Sequence, residues 1–340
     1  MDPVEALNEI GYWLERELAS PFKTKAFRRA AAVIAAMPAE KVAADALSGS
    51  LKSVSGIGGT TFEVILEAAE GAVPSYLAEL RERADKPLVK GGEKLRAQLR
   101  GDLHSHSDWS DGTTSIELMA STAKWLGHDC LALTDHSPRL RVANGLSAER
   151  LRTQLELVAE TNDSLGDFRI LAGIEVDILD DGGLDQSDEM LSKLDIVVAS
   201  AHSKLRMDSA EMTQRLVGAV RNPHTTVLGH VTGRLVKGSR GTRPQSEFDA
   251  SAVFSECAAH NVAVEINSRP ERQDPPDDLI AVALDAGCLF SIDSDAHAPG
   301  QLALIDYGAA RAEAAGIPAD RIITTWSRER LLEWRRQAEG

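Results

Sequence analysis

Leu103–Gly112 reads LHSHSDWSDG. His104 and His106 stand two residues apart, and Asp111 follows five residues after the second. On a strand, a spacing of two puts both imidazoles on one face. Their meaning depends on what the rest of the chain brings to the same place.

From residue 101 onward, short apolar runs alternate with helical patterns. The periodicity predicts strands at 102–106, 130–135, 169–175, 195–201, 225–230, 262–266 and 288–293. Helices are predicted between them at 115–127, 147–162, 209–221, 247–260 and 276–286, with Thr114 and Glu117 as a capping box before the first. Seven βα repeats imply an α/β fold with a parallel sheet, either closed as a barrel or open and doubly wound.

The strand ends carry the chemistry. The first predicted strand ends at His104 and His106, with Asp111 in its loop, and the second at Asp135 and His136. Glu175 ends the third, and the fourth and fifth run into His202 and His230. The seventh runs into Asp293, Asp295 and His297. In a βα barrel all these ends open onto one mouth. Six of the nine histidines in the chain fall there; His128, His224 and His260 do not. Six imidazoles with Asp111, Glu175 and Asp295, and no thiolate, suit zinc, manganese or iron better than calcium or magnesium. Nine ligands exceed what one ion takes, so a cluster of two or three divalent ions is expected, with positions open for water and substrate. Asp135 and Asp293, beside ligands, are expected to orient imidazoles. Arg234, Arg269 and Arg272, each just past a strand end, are candidates to stabilise charge on a phosphoryl group, with Asn267 orienting one of them. Trp109 is placed either to stack on a base, to shield the metals or to pack in the core. No residue stands out as the acid for a leaving group.

Bulk properties bound the alternatives. The chain has 340 residues and a net charge of −15. Residues 1–100 hold 14 basic and 14 acidic side chains, so the whole excess lies in 101–340. Such an acidic half argues against a general nucleic-acid binder. Cys130, Cys257 and Cys288 are scattered in apolar contexts without CxxC spacing, which argues against disulfides and a thiolate zinc site. The start MDPVEALNEI lacks a basic signal-peptide region, and the apolar run AAAVIAAM is too short to span a bilayer. A cytoplasmic protein without a membrane partner is expected.

Residues 1–85 read as helices only, and 86–100, with Pro87, Gly91, Gly92 and five basic residues, as a linker to a unit spanning 101–340. Pro21 suits a first helical turn after Ser20. SGIGGTTFEVILE places a Gly-rich turn before a helix; the amides near Gly56 and Gly58 suit a DNA phosphate, with Lys23, Lys25, Arg28 and Arg29 as neutralising charges.

The motifs GDLHSHSDWSDG, LTDHS, GIEVDI, SAHS, GHVTGRL and DSDAH resemble the PHP (polymerase and histidinol phosphatase) family of metal phosphoesterases over about 101–338. HSDWSDG, GHVTGRL and EINSRPERQD resemble more narrowly the PHP domain of bacterial family X DNA polymerases. ASPFKTKAFRRAAAVIAAMP and LKSVSGIGGTTFEVILEA resemble the helix-hairpin-helix domain that opens those enzymes. The resemblance implies a distorted (β/α)7 TIM-like barrel preceded by a small all-α domain. It implies one metal on His104, His106, Glu175 and Asp295, a second bridged by Glu175 to His202 and His230, and a third on Asp111, His136 and His297. Glu175 is then both ligand and catalytic bridge. A short linker stands where the polymerases carry palm and thumb domains, so no polymerase activity is expected. The Schiff-base lysine of the related eukaryotic lyase domain is replaced by Val64, which argues against a lyase. Arg269 also departs from the polymerase-type pattern. The implied function is hydrolysis of phosphate esters by metal-activated water. The expected substrate is a DNA end, as in 3′–5′ exonuclease or DNA repair action, or else a small phosphorylated metabolite such as histidinol phosphate. A vestigial, non-enzymatic scaffold fits poorly with a complete ligand set.

Overall fold

The computed structural model describes residues 1–238 and 241–338. The chain divides into two units, Met1–Pro87 and Leu88–Gly340.

The first unit contains α1 (Pro3–Arg16), α2 (Pro21–Ala35), α3 (Ala39–Leu47), α4 (Gly59–Ala69) and α5 (Ser75–Ala84). Asp2 caps α1 by accepting the N–H groups of Val4 and Glu5 at 2.8 and 2.9 Å. Ala6, Ile10 and Leu14, spaced four apart on one face of α1, are buried, and Leu18 lies beyond the helix with φ +52°. Phe27, Ile34, Leu51, Phe62, Ile65, Leu77 and Leu80 complete a core of their own. Each such side chain contributes about 1.5–3 kcal/mol through burial. Pro21 opens α2, as its fixed φ allows.

In the second unit, α6 (Glu93–Arg96) precedes β1 (Gly101–Ser105), α7 (Ile116–Trp125), β2 (Cys130–Leu133), α8 (Ala148–Ser164) and β3 (Arg169–Asp177). Then come α9 (Asp188–Leu191), β4 (Ile196–Ser200), α10 (Ser209–Val220), β5 (Val227–Leu228), α11 (Ala250–Ala259), β6 (Ala263–Asn267), α12 (Asp277–Asp285) and β7 (Phe290–Asp293). Two helices not anticipated from periodicity, α13 (Ile305–Ala314) and α14 (Arg328–Ala338), follow. The strands run parallel in the order β1 to β7, a TIM-like (β/α)7 barrel. The seam between β7 and β1 is joined by a main-chain bridge between Ser105 and Ala296 and by carboxylates. Asp293 Oδ1 accepts the N–H of Leu103 at 2.8 Å, and Asp102 Oδ1 that of Ser294 at 3.2 Å. A register irregularity between Asp102 and Ser105 distorts β1 beside this seam.

Period-two alternation divides the barrel. Ile174, Val176, Val264 and Ile266 face outward into the main core. On the other face, Leu171, Val198, Val227 and Ala263 fill the lower interior against Trp326 and Leu331. The same inner rows then turn polar toward the C-terminal ends, at Glu175 on β3 and at Glu265 and Asn267 on β6. That switch makes a site at the top of a packed core.

Two local expectations are corrected. The stretch read as a linker, 86–100, is from Leu88 onward part of the barrel unit: Leu95 and Leu99 are buried in its core, and Arg96 pairs with Asp306 at 3.0 Å. Gly92 has φ +84°, and a Cβ there would lie 2.4 Å from the Ala310 nitrogen, so glycine permits the close approach to α13. Its apparent linker chemistry is therefore packing chemistry. The capping box is also not formed: Ser115 is the N-cap, and the Thr114 hydroxyl is buried without a hydrogen-bond partner. Among the described residues, no helix is long and apolar enough to cross a membrane.

Candidate metal centre

All nine predicted ligands meet at the barrel mouth. Glu175 is the hub. Its Oε1 lies 3.2 Å from His202 Nε2 and 2.9 Å from His230 Nε2. Its Oε2 lies 3.3 Å from His104 Nε2, 3.6 Å from His106 Nε2 and 2.9 Å from His136 Nδ1. Asp295 Oδ1 is 3.5 Å from both His106 Nε2 and His297 Nδ1. Asp111 Oδ1 approaches His136 and His297 at 3.5 and 3.4 Å. Three groups have ligand atoms mutually within 4.8 Å: His106 with Asp111, His136 and His297; His104 with His106 and Glu175; and His136 with Glu175 and His202.

The donors fit cations. Among the described residues, His104 Nε2, His106 Nε2 and His136 Nδ1, all buried and turned to Glu175, have no hydrogen-bond partner. Such orphans are costly unless something binds them. Burial alone raises the Glu175 pKa, but the surrounding histidines outweigh it and hold the carboxyl well below its usual range. Asp295 is held down in the same way, against its burial, by His104, His106 and Arg272. Burial and the neighbouring His297 and His136 push His106 down to about 3, which leaves its ring neutral and able to ligate. Asp295 has φ +52°, a strained backbone held at a prospective ligand.

Several supporting roles differ from those expected. Asp135 touches no imidazole. It accepts from the Ser107 N–H and hydroxyl, the Ser110 hydroxyl and Gln154, and so fixes the loop carrying His106 and Asp111. Asp293 likewise serves the barrel seam rather than a ring. Asn267 does orient neighbours: it donates to Asp295 Oδ2 at 3.1 Å and accepts from the Arg269 N–H. Two ring partners were missed. Glu265 Oε1 lies 2.5 Å from His104 Nδ1, and Asp177 Oδ1 lies 3.4 Å from His202 Nδ1. Trp109 is half-buried against the core, and its carbonyl is bound by Asn144 and Arg150.

A cavity of about 460 Å³ lies over the cluster, and Arg243, Arg269 and Arg272 line it. Arg272 is buried with its Nε 3.1 Å from Asp295 Oδ2. Arg269 donates to the Asp295 carbonyl at 3.0 Å and pairs with Glu271 at 2.8 Å. Arg234 is not brought to the cavity. Its guanidinium is turned to the carbonyls of Arg272 and Gln273, so it holds the loop that carries the other two. Arg243, unforeseen from sequence, comes to the mouth from the long β5–α11 loop.

In the first unit, Arg28 is removed from the proposed phosphate site. It makes a bidentate pair with Glu15 at 2.9 and 2.7 Å and bonds Asn8. Lys23 lies over the Tyr76 ring and Lys25 is exposed. Arg29 reaches Ser55 beside Gly56, whose φ is +100°. Gly58 is the N-cap of α4.

Residues 102–269 match the PHP domain model. The DNA polymerase/3′-5′ exonuclease PolX of Bacillus subtilis is 41% identical over 200 residues, covering 59% of this chain and 34% of that protein. The chain thus aligns with about a third of that relative. "Probable phosphatase VPA0505" of Vibrio parahaemolyticus is 28% identical over 244 residues, covering 68% of this chain and 91% of that one. The solved structure of histidinol phosphate phosphatase from Lactococcus lactis, complexed with zinc, L-histidinol and phosphate, is 18% identical, covers 64% of this chain and 94% of that one, and superposes with a TM-score of 0.45. With a seven-stranded barrel and a mouth lined by histidines and carboxylates already described, the match identifies residues 102–269 as a PHP domain, of the metal-dependent kind that hydrolyses phosphate esters.

Proposed function

We propose that the protein is a nuclease of DNA 3′ ends, acting as a 3′–5′ exonuclease or 3′-end repair enzyme. The observation that carries this reading is the 41% identity of its barrel region to a protein named DNA polymerase/3′-5′ exonuclease, alongside the six histidines and three carboxylates gathered at the strand ends. The helical unit that precedes the barrel supports it. The hairpin amide of Gly56, with Lys23, Lys25 and Arg29, is what we assign to phosphates of the DNA backbone, whereas the Gly58 N–H is already taken by the Thr61 hydroxyl at 2.9 Å.

We assign His104, His106, Asp111, His136, Glu175, His202, His230, Asp295 and His297 to two or three divalent ions, manganese or zinc or else iron. Glu175 would be shared between such ions; the atom groups add His106 to the Asp111 set and His136 to the Glu175 and His202 set. Such ions, when bound, would supply an acidified water and an electrostatic pull on phosphoryl oxygens. The chain's own residues do the rest. Glu265 and Asp177 hold the His104 and His202 rings in place. Asn267 and Arg272 fix Asp295 from its other oxygen, leaving Oδ1 toward the histidines. Arg243 and Arg269 offer donors to phosphoryl oxygens at the mouth, where preorganised cations stabilise developing charge.

A second reading is a phosphomonoesterase of small metabolites. It is favoured by the 28% identity that runs along 91% of a protein named as a probable phosphatase. One experiment separates the two. The protein with manganese is incubated with 5′-labelled single-stranded DNA and, in parallel, with histidinol phosphate, each with a chelator control. Chelator-sensitive laddering from the 3′ end is the expected result. Intact DNA with phosphate released from histidinol phosphate would overturn it.

A further inference from the structure

The cavity over the cluster has two unlike walls. Arg243, Arg269 and Arg272 come from loops after β5 and β6. Leu140, Val142 and Ala143 come from the loop after β2. In a ring of seven strands, β2 lies three steps from both β5 and β6, the greatest separation available. The cationic and apolar walls therefore face each other across the mouth.

Val142 is the unusual member of the apolar wall. It is 93% exposed, yet the loop bearing it is firmly held. Ala143 and Leu146 beside it are buried. Leu146 donates to the carbonyl of His136 at 2.7 Å, and Asn144 Nδ2 donates to that of Trp109 at 3.1 Å. Arg150 bonds the carbonyls of both Asn144 and Trp109. A Cβ on Gly145 would lie 1.9 Å from the Ser137 oxygen, so glycine lets the loop close onto its own stem. These bonds tie the loop to the segments carrying His136 and Asp111. An exposed β-branched side chain on a loose loop would mean little. Held rigidly at the rim of the cavity, it is a preformed apolar contact open to a bound ligand.

We propose that Val142, with Leu140, is the specificity wall for the leaving group, and that it selects esters whose leaving group presents a flat apolar face, as a nucleoside does. The phosphoryl group lies toward the arginines and the base lies on Val142. Exposed Arg141 beside Val142 suits the next phosphate of a strand. This rests on the phosphoesterase reading and deepens it: aliphatic polar esters lack the surface that this wall binds.

The test compares wild type, Val142→Asn and Val142→Leu on a thymidine dinucleotide, p-nitrophenyl phosphate and glycerol phosphate. Asparagine is neutral, so repulsion of phosphate does not enter. The expected result for Val142→Asn is a loss of about tenfold in kcat/KM on the dinucleotide and the aryl ester relative to glycerol phosphate, carried by KM, the size of a small apolar contact. Val142→Leu restores the preference. An unchanged ratio, or an equal fall on all three esters, overturns the proposal. If the wild type hydrolyses both monoesters but not the dinucleotide, the DNA-end reading fails, and the aryl-to-glycerol ratio still decides the role of Val142.

Discussion

Glu265 Oε1 lies 2.5 Å from His104 Nδ1, while its Oε2 accepts the main-chain N–H of His230 at 2.6 Å. One buried carboxylate on β6 thus fixes a ring from β1 and the backbone at the end of β5. Glu265→Gln keeps the shape but weakens the hold on the ring. Orienting carboxylates of this kind typically affect metal affinity or activity by about 10–100-fold. Competition with a metallochromic chelator should show weaker metal retention within that range and an unchanged circular dichroism spectrum. Wild-type metal retention would mean that the ring needs no such support.

The arginines that follow β5 and β6 divide into two kinds. Arg272 is buried against Asp295, whereas Arg234 bonds main-chain carbonyls of the adjoining loop. Arg272→Ala removes the guanidinium that fixes Asp295 and should lower kcat by about 10–100-fold, the scale for loss of a group that orients a metal ligand. Arg234→Ala should lower kcat by only a few fold and shift the melting temperature down. Steady-state kinetics with thermal melting separates them. Equal losses in kcat would place Arg234 in direct contact with substrate.

Much of this architecture was legible in the chain, and the reasons differ by feature. All seven strands follow from short apolar runs, because a parallel sheet buries both faces. The ligands were legible because polar residues ending such runs share one mouth. Glu265 was passed over as a lone acid inside the apolar run VAVEI, although it lies two residues before Asn267 on the same face. Arg234 was misplaced because proximity to a strand end does not determine where a long side chain points, and Arg243 was unforeseen because it lies deep in the long loop between β5 and α11. Leu95 and Leu99 were hidden among glycines and basic residues, and the partners that bury them, such as Ile305 and Ala309, lie over 200 residues away.

Arg28 and its neighbours on α2 should behave in opposite ways. The Arg28–Glu15 pair is largely buried, with side-chain exposures of 11% and 4%. Arg28→Ala removes the bidentate partner of Glu15 and should cost about 3 kcal/mol of stability. Lys25→Ala with Arg29→Ala should leave stability nearly unchanged. It should weaken DNA binding and reduce the salt slope by about one for each charge removed. Denaturant melts and fluorescence anisotropy at several salt concentrations check this. A DNA-binding defect in the double variant with an unaltered salt slope would contradict phosphate contact.

His128 provides a pH test away from the metal centre. It is buried, neither ring nitrogen has a hydrogen-bond partner, and burial together with Arg96 pushes its pKa down to about 3. The unfolded chain titrates near 6.5, so above that pH both states are neutral and the residue adds no pH dependence. Between about 6.5 and about 3 the unfolded state binds a proton that the native state does not, and stability falls by up to about 1.4 kcal/mol per pH unit. His128→Gln should flatten that part of the stability profile, measured by urea melts from pH 7 to 5. An identical acid slope in the variant would show that His128 is accessible to protons in the folded state.

The most direct test of the central claim joins metal content to catalysis. Metal per chain is measured by inductively coupled plasma mass spectrometry for wild type and Glu175→Gln, alongside hydrolysis of a phosphate ester. A hub carboxylate shared by five imidazoles predicts two or three ions per wild-type chain, loss of at least one ion in the variant, and activity reduced by about 1,000-fold. Full metal content and undiminished turnover in Glu175→Gln would contradict the account.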